Sequence, residues 1–393
     1  MSFDLALIVF YFVIIALLAV YGFHRSHLIY LLLKNRNKAP VPKERFAEKP
    51  LITVQLPLFN EMYVAERLID SVIDLDYPKD KLEIQVLDDS TDETTELLRK
   101  KCEHLRSQGH NITFLHRTDR TGFKAGALEA GLKSAQGDLV AIFDADFVPP
   151  RDLLLQMVDH FTDPKVGMVQ ARWEHLNREH SLLTRVQAIL LDGHFLIEHA
   201  ARNRSGRFFN FNGTAGIWRR QAIAEAGGWQ HDTLTEDLDL SYRAQLKGWN
   251  FVYLPQLSAP AELPVEMNSF KSQQFRWAKG SIQTMRKLLP TILRADIPLG
   301  TKLEAFFHLT NNFAYALLVL LALLALPMLV VRGDQAVNEV LMVDLPIFLG
   351  TTFSVGAFYL VSQQLYQRGF IRNLLQIPVA LSVGIGISLN NTR

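Results

Sequence analysis

The sequence predicts an α/β fold: a mostly parallel sheet with helices on both faces, joined to transmembrane and interfacial helices. Three observations predict it. Between Leu51 and Phe143, short apolar runs alternate with amphipathic stretches in a strand–helix rhythm that implies parallel pairing. The apolar run 139–143 ends abruptly in Asp144 and Asp146, as a buried strand does when it delivers acids at its carboxyl end, where open α/β sheets bind ligands. Long apolar tracts lie at the two ends of the chain, and ordinary charged sequence fills the middle.

Residues 5–21 are long and apolar enough to cross a bilayer core. Met1-Ser-Phe-Asp4 has no basic n-region and no small-residue cleavage site follows, which argues against a signal peptide. Arg25, Lys34, Arg36, Lys38, Lys43 and Arg45 come next, so the positive-inside rule puts the amino terminus outside and the following domain in the cytosol. Pro40, Pro42 and Pro50 mark a basic linker, giving a membrane segment 1–33, a linker 34–50 and a cytosolic domain 51–265.

Within that domain, strands are expected at 51–56, 82–87, 112–115 and 139–143, and helices at 64–75, 93–105 and 126–134. A helix after Pro150, a strand near 166–171 and an amphipathic helix 181–203 follow. Next comes a glycine-punctuated stretch, 208–216, then a helix beginning near Thr235, with Thr233 and Glu236 at capping-box spacing. Residues 267–289, inside an interface segment 266–300, form an amphipathic helix suited to a membrane surface or a groove. Region 301–393 reads as membrane, with spans at 314–331, 345–361 and 374–389. Arg368 and Arg372, against the weakly basic loop 335–339, place the second loop inside; Pro378, Gly384 and Gly386 permit the last stretch to be re-entrant. The chain stops at the edge of an apolar stretch, which reads as the end of a fragment.

Composition narrows the function. A formal net charge of +1, with no basic stripe interleaved with aromatics, gives no nucleic-acid signature. The single cysteine, Cys102, excludes an internal disulfide framework and a cysteine-rich zinc site and fits a reducing compartment. Nothing in the sequence speaks to oligomeric state.

The chemistry gathers at four strand ends: Pro57-Leu-Phe-Asn-Glu61, Asp88-Asp-Ser-Thr-Asp92, Arg117 and Arg120 leading to Gly122-Phe-Lys-Ala-Gly126, and the pair Asp144 and Asp146. Two acids at i and i+2 on an extended chain point the same way and can face one cation. Asp88 and Asp89 offer acceptors, Lys124 and the arginines offer positive charge, and a divalent metal on Asp144 and Asp146 would bridge phosphate oxygens. Glycines let the backbone approach a phosphate closely. Each piece alone also fits a solvated turn, but their convergence on one sheet edge points to a nucleotide.

Further on, Glu236 and Asp237 open a helix, where acids compensate its dipole. Both are catalytic candidates, with Asp237 the better base. Gln273, Arg276 and Trp277 share one helical face through i, i+3 and i+4 spacing; interface anchoring alone would account for Trp277 but not for the group.

In this order, over roughly 51–280, these pieces resemble family 2 inverting glycosyltransferases, and among them the processive, membrane-embedded cellulose synthase-like group. The fuller wording Phe211-Asn-Gly-Thr-Ala-Gly-Ile-Trp-Arg219 and Thr235-Glu-Asp-Leu-Asp-Leu-Ser-Tyr-Arg-Ala-Gln245 is most similar to mannan and glucomannan synthases. The resemblance implies a GT-A type fold, a nucleotide-diphospho-sugar donor, and Mg2+ or Mn2+ on Asp146 with Asp144. It implies that Asp88 and Asp89 hold the nucleoside, and that Lys124, Gln273 and Arg276 contact the diphosphate. Asp237 would be the base, and Phe211, Asn212, Gly213, Thr214 and Trp277 would line the acceptor site.

The implied reaction moves a hexose from GDP-mannose, GDP-glucose or UDP-glucose onto a growing β-1,4-glycan with inversion, in a membrane enzyme whose catalytic domain is cytosolic. The alternative is a single addition to a lipid acceptor, as in ceramide glucosyltransferases, which share the QxxRW pattern. A nucleotidyltransferase on a similar fold fits Thr235-Glu-Asp237 and the membrane helices poorly. A transport protein would carry charges inside its spans, and the spans as read carry none. The family continues past this chain's last residue with a gating segment and more spans.

Overall fold

A computed structural model of the chain describes residues 3–333, 338, 340–366 and 369–392. Seven strands form one sheet: β1 (Ile52–Leu58), β2 (Leu82–Asp88), β3 (Ile112–His116), β4 (Leu139–Ile142), β5 (Val166–His175), β6 (Gly216–Arg219) and β7 (Asn250–Ala261). Their order is β3-β2-β1-β4-β6-β5-β7. β1 pairs in parallel with β2 and β4, β2 with β3, and β5 with β7, whereas β6 runs antiparallel to both β4 and β5.

The helices between them are α2 (Ala65–Ile73), α3 (Thr94–Ser107), α4 (Phe123–Leu132) and α5 (Leu153–Val158). Both sheet faces are covered, so the central strands are apolar nearly throughout. The polar residues that enter this interior are paired: Thr53 Oγ1 donates to Glu83 Oε2 at 2.5 Å, and Gln55 Nε2 donates to Gln85 Oε1 at 3.1 Å. Strand order reverses between β1 and β4, which opens a crevice at their carboxyl ends.

β6 and β7 were absent from the expected elements, for physical reasons. Four residues inside a glycine-punctuated stretch give β6 no readable period. β7 contains Pro255 and Pro260, which argue against a strand in sequence but are tolerated on a sheet edge, where β7 lies. The capping box at Thr233 is also corrected. The N-cap is Thr235, whose side chain bonds Thr284 Oγ1 at 3.2 Å rather than capping, because the turn is wedged against Gly280. A Cβ on Gly280 would meet the Thr235 side chain at 2.5 Å and its backbone nitrogen at 2.9 Å.

The remaining helices hold the sheet against the apolar ends. α1 (Phe3–Lys34) is continuous for 32 residues, well past the expected span, so Arg25 and Lys34 belong to it rather than to the linker side. Its last third, Leu28, Leu31 and Leu32, joins the same buried cluster as Phe211 and Trp218 under the sheet. α6 (Leu182–Asp192), a π-helical stretch (Gly193–His199) and α7 (Ala200–Arg204) follow one another without a break. Then come α8 (Arg220–Glu225), α9 (Glu236–Leu246), α10 (Met267–Arg294) and α11 (Leu299–Thr310).

The three expected C-terminal spans are helices: α12 (Phe313–Arg332), α13 (Leu345–Leu365) and α14 (Phe370–Gly386, running through Pro378), with a last turn α15 (Ser388–Asn391). Among the described residues, four helical stretches are long and apolar enough to cross a membrane: Phe3–Lys34, Phe313–Arg332, Val340–Leu365 and Leu374–Asn391. Arg368, Arg393 and, residue 338 apart, the loop 335–339 lie outside the described residues, as does the side chain of Arg372. α1 and α13 pack closely: a Cβ on Gly22 would meet Thr351 Cγ2 at 2.3 Å, and Ser354 Oγ donates to Gly22 O at 2.8 Å.

Candidate functional site

The carboxyl ends of β1 to β4 carry the expected polar residues, and the sheet brings them to one edge. Asn60, after β1, has a left-handed backbone (φ 55°); its N–H donates to Ser90 Oγ at 2.8 Å, and its Oδ1 accepts from Thr91 N at 2.9 Å. Asp88 is fully buried. Its carboxylate accepts from Ser90 N at 3.0 Å and pairs with His116 Nδ1 at 2.7 Å, so it shapes the loop. Asp89 accepts a two-pronged contact from Arg117, at 2.8 Å from Nε. The Arg120 guanidinium lies 3.1 Å over the Phe59 ring.

Gly122 (φ 79°) opens α4, and Gly126 lets that helix close on its own turn: a Cβ there would strike Thr121 O at 2.1 Å. Lys124 in the first turn thereby reaches Asp144 Oδ1 at 2.5 Å and donates to Gly213 O at 3.0 Å. Burial works against its ammonium, but Asp144, Glu236 and Asp237 outweigh it and hold the pKa above the usual lysine range.

The antiparallel pairing of β4 with β6 joins this edge to the downstream motifs. Ile142 is registered with Gly216, and Ala215 N donates to Ile142 O at 2.8 Å. The segment just before β6 therefore lies beside the acids just after β4. Asp144 N donates to Thr214 Oγ1 at 2.9 Å, and Phe211 N donates to Ser241 Oγ, which itself donates to Asp237 O at 2.5 Å. Gly213 (φ 80°) sits where a Cβ would come within 3.2 Å of Asp237 Oδ2 and 3.3 Å of Lys124 Nζ. One glycine thus separates the candidate base from the candidate phosphate contact.

Four carboxyl groups, Asp144, Asp146, Glu236 and Asp237, crowd around Lys124, and Glu61 lies near the aspartate pair. Burial, then Asp144, push Asp146 up to about 7, and Glu61 is raised by burial and Asp144. Burial, then the charge of Glu236, push Asp237 up to about 7; Glu236 is raised mainly by burial. Among the described residues no group of three or more His, Cys, Asp or Glu side chains is placed to hold a metal alone. Two neighbouring aspartates, one held protonated near neutrality by burial and the other's charge, nevertheless fit a divalent cation that takes its remaining ligands from water and phosphate oxygens.

On the other side of Asp237 lies a cavity of about 260 Å³. Asp237, Asn212, Gln273 and Trp277 line it, together with His24, Arg25 and Asn312. α10 contributes a single stripe, Phe270, Gln273, Gln274, Trp277, Ala278 and Ser281, at helical spacing.

The structure places three of the expected residues off this cavity. Phe211 is wholly buried against Trp218 (ring centroids 5.7 Å apart) and is not among the cavity residues, because chain alternation turns Asn212 outward in its place. Thr214 is fully buried and anchors Asp144. Arg276 is exposed and off the stripe, since one residue rotates a helix by about 100°. Missed entirely were His194, Glu198, His199 and Arg202 with Glu304 and α1's His24 and Arg25. Glu198 pairs with Arg25 and, at 3.2 Å, Arg202; Glu304 pairs with Arg202 and His24, each at 3.0 Å. The i, i+4 spacing of His194, Glu198 and Arg202 on one helical run was the signal.

A family profile described as "Glycosyltransferase like family 2" matches residues 50–280. The chain belongs to this family. Probable glucomannan 4-beta-mannosyltransferase 7 of Oryza sativa subsp. japonica is 45% identical to this family 2 chain over 272 residues, 68% of the chain and 46% of the relative. Glucomannan 4-beta-mannosyltransferase 7 of Arabidopsis thaliana is 39% identical over 319 residues, 79% of the chain and 57% of the relative. The chain therefore spans about half the length of the curated relatives it matches.

Among solved structures, the mannosyltransferase PcManGT of Pyrobaculum calidifontis, in complex with GDP-Man and Mn2+, covers 91% of this family 2 chain and 99% of its own, with TM-score 0.59 and 24% identity. S. aureus TarS 1-349 in complex with UDP-GlcNAc aligns with TM-score 0.50 at 17% identity, over 87% and 90% of the two chains. The fold is of the GT-A type.

Gly213→Ala tests how tightly the two halves of the site meet. A left-handed alanine costs about 1–2 kcal/mol, and the added methyl crowds Asp237 and Lys124. Thermal unfolding should fall by a few degrees while sugar transfer falls at least about tenfold. Wild-type turnover in the alanine variant would show that the contact is slack.

Proposed function

We propose that this chain is the catalytic part of a membrane glycosyltransferase that moves a hexose from a nucleotide-diphospho-sugar to a growing β-1,4-glycan with inversion. GDP-mannose is the donor that the names of the relatives and of the PcManGT complex favour. The observation that carries the reading is the position of Asp237, one glycine away from Lys124 on the donor side and on the wall of the cavity on the other. A base placed there meets an acceptor hydroxyl arriving through the cavity, opposite a leaving group held over Lys124.

In this reading the loops around Asp88 and Asp89 hold the nucleoside, and Lys124 offsets diphosphate charge together with Gln273 and the exposed Arg276 on α10. Asp144 and Asp146 would hold Mg2+ or Mn2+, which supplies positive charge to the diphosphate oxygens. Asp237 takes the acceptor proton, with Glu236 beside it raising its basicity. Asn212 and Trp277 bound the acceptor, the indole offering a broad face for sugar C–H groups. The polar lining of His, Arg, Asn, Gln and Glu side chains supports a glycan over a lipid acceptor. With α1 crossing the membrane, its amino terminus outside, the catalytic domain faces the cytosol and α10 lies near the lipid surface.

Detergent-purified chain is to be supplied in turn with radiolabelled GDP-mannose, GDP-glucose and UDP-glucose, and the products digested with β-1,4-mannanase and cellulase. A mannanase-sensitive polymer from GDP-mannose is expected. A single sugar on extracted lipid, or no transfer from any donor, overturns the proposal.

Asp237→Asn should abolish transfer and leave GDP affinity nearly unchanged, because a base acts on the acceptor in the transition state. The ionised carboxylate is the active form, so at saturating metal kcat/KM should rise with pH through about 7 and fall to about a tenth at pH 6. A flat profile between pH 5 and 8 in wild-type protein, to be read from initial rates, contradicts the assignment. Asp146→Ala should remove the metal dependence of GDP binding. Calorimetric titrations with Mn2+ and with EDTA decide this, and equal affinities in the wild type under both conditions count against a bridging cation.

A further inference from the structure

Beside Asn212 runs a chain of polar side chains, His199, Glu198 and Arg202 buried and His194 half-buried on the cavity wall, to which the proposed reaction gives no part. It is carried by the π-helical stretch Gly193–His199, a local widening that recurs at functional sites. His199 Nε2 lies 2.7 Å from Asn212 Oδ1 and 3.0 Å from Asn210 O. Both partners are oxygens, so Nε2 bears the hydrogen and donates, and Nδ1 has no partner. With Oδ1 so engaged, Asn212 Nδ2 donates to His194 Nε2 at 3.0 Å. That nitrogen is then bare, and Nδ1 of His194 donates to Glu198 Oε2 at 3.2 Å. The Glu198 carboxylate is held in turn by Arg202 and by Arg25 of α1. Only one direction of donation satisfies every contact.

Burial favours the neutral imidazoles this direction requires. It pushes His199 down to about 3 and His194 well below its usual value. Asn212 itself lines the cavity and keeps one amide N–H and one lone pair outside these contacts.

We propose that His194 and His199 are positioning residues that lock the Asn212 amide in one of its two flips, so that its remaining N–H meets a hydroxyl of the acceptor sugar beside Asp237. The assignment rests on the acceptor reading of the cavity. It adds that the orientation of the acceptor is set from α1, through Arg25 and Glu198, rather than by the motif loop alone.

Paired substitutions separate a hydrogen-bonding role from a space-filling one. A glutamine amide reaches the position of the imidazole Nε2, whereas an asparagine amide reaches only that of Nδ1. His194→Gln keeps an acceptor for Asn212, and His199→Gln keeps a donor. Each should stay within about threefold of wild type in KM for β-1,4-mannotetraose, while His194→Asn and His199→Asn raise that KM by about tenfold or more, with GDP affinity unchanged. Equal behaviour of the glutamine and asparagine variants, whether both active or both impaired, overturns the proposal.

The wild-type protein gives a second reading that needs no variant to fold. Histidine-selective ¹⁵N spectra should show Nε2–H at residue 199 and Nδ1–H at residue 194, and the opposite tautomer at either overturns the relay. If wild-type protein transfers no sugar to the tetraose, the catalytic reading fails while the tautomers still judge the relay.

Discussion

The pairing of β4 with β6 is the constraint on which the site depends. β4 alone supplies two acids at a strand end. Because β6 runs back along it with Ile142 opposite Gly216, the segment 211–215 is delivered to those acids from a position some seventy residues downstream. The junction is strained: Ala215 holds a left-handed backbone at φ 56°, which costs about 1–2 kcal/mol for alanine. Two hydrogen bonds at the same junction, Ala215 N to Ile142 O and Asp144 N to Thr214 Oγ1, each contribute about 1 kcal/mol net. Strain kept in place by its surroundings is common where a backbone must serve a site.

Electrostatics explains why the assembled site invites cations. Asp144, Asp146, Glu236 and Asp237 crowd around Lys124 and Glu61 lies near the aspartate pair; burial first, and neighbouring carboxylates second, displace Glu61, Asp146, Glu236 and Asp237 toward the protonated form. Two like charges at 4 Å repel by about 4 kcal/mol at an effective dielectric of 20. A divalent cation would bring the complementary charge, and its binding would relieve the repulsion that folding leaves in place.

Much of this was legible in the sequence, and the limits of legibility are physical. β1 to β4 were readable because strands buried on both faces are apolar almost throughout, and the gathering of polar residues at one sheet edge because they follow those strands directly. Phe211 and Asn212 were not separable, since which of two neighbours faces inward depends on a register that tertiary packing sets. Arg276 and Trp277 were not separable for the helical version of the same reason: Trp277 lies on the cavity stripe and Arg276 does not. The His194–Asn212–His199 contacts join residues 13 and 18 positions apart in sequence, and Arg25 to Glu198 spans 173. No local period encodes such distances. The extension of α1 to Lys34 was hidden because its apolar stretch ends before His24, while the partners of His24 and Arg25 lie on α11 and on the π-helical stretch.

In the proposed reading, a single base between a donor edge and an acceptor cavity would commit the enzyme to one displacement at the anomeric carbon. The measurement that tests this most directly is the anomeric configuration of the newly formed linkage, read by NMR after turnover of an α-linked nucleotide sugar with a short β-1,4-oligosaccharide acceptor. One in-line attack assisted by Asp237 predicts a β linkage in every product molecule. An α linkage would require a second displacement or a different attacking face, and would contradict the account.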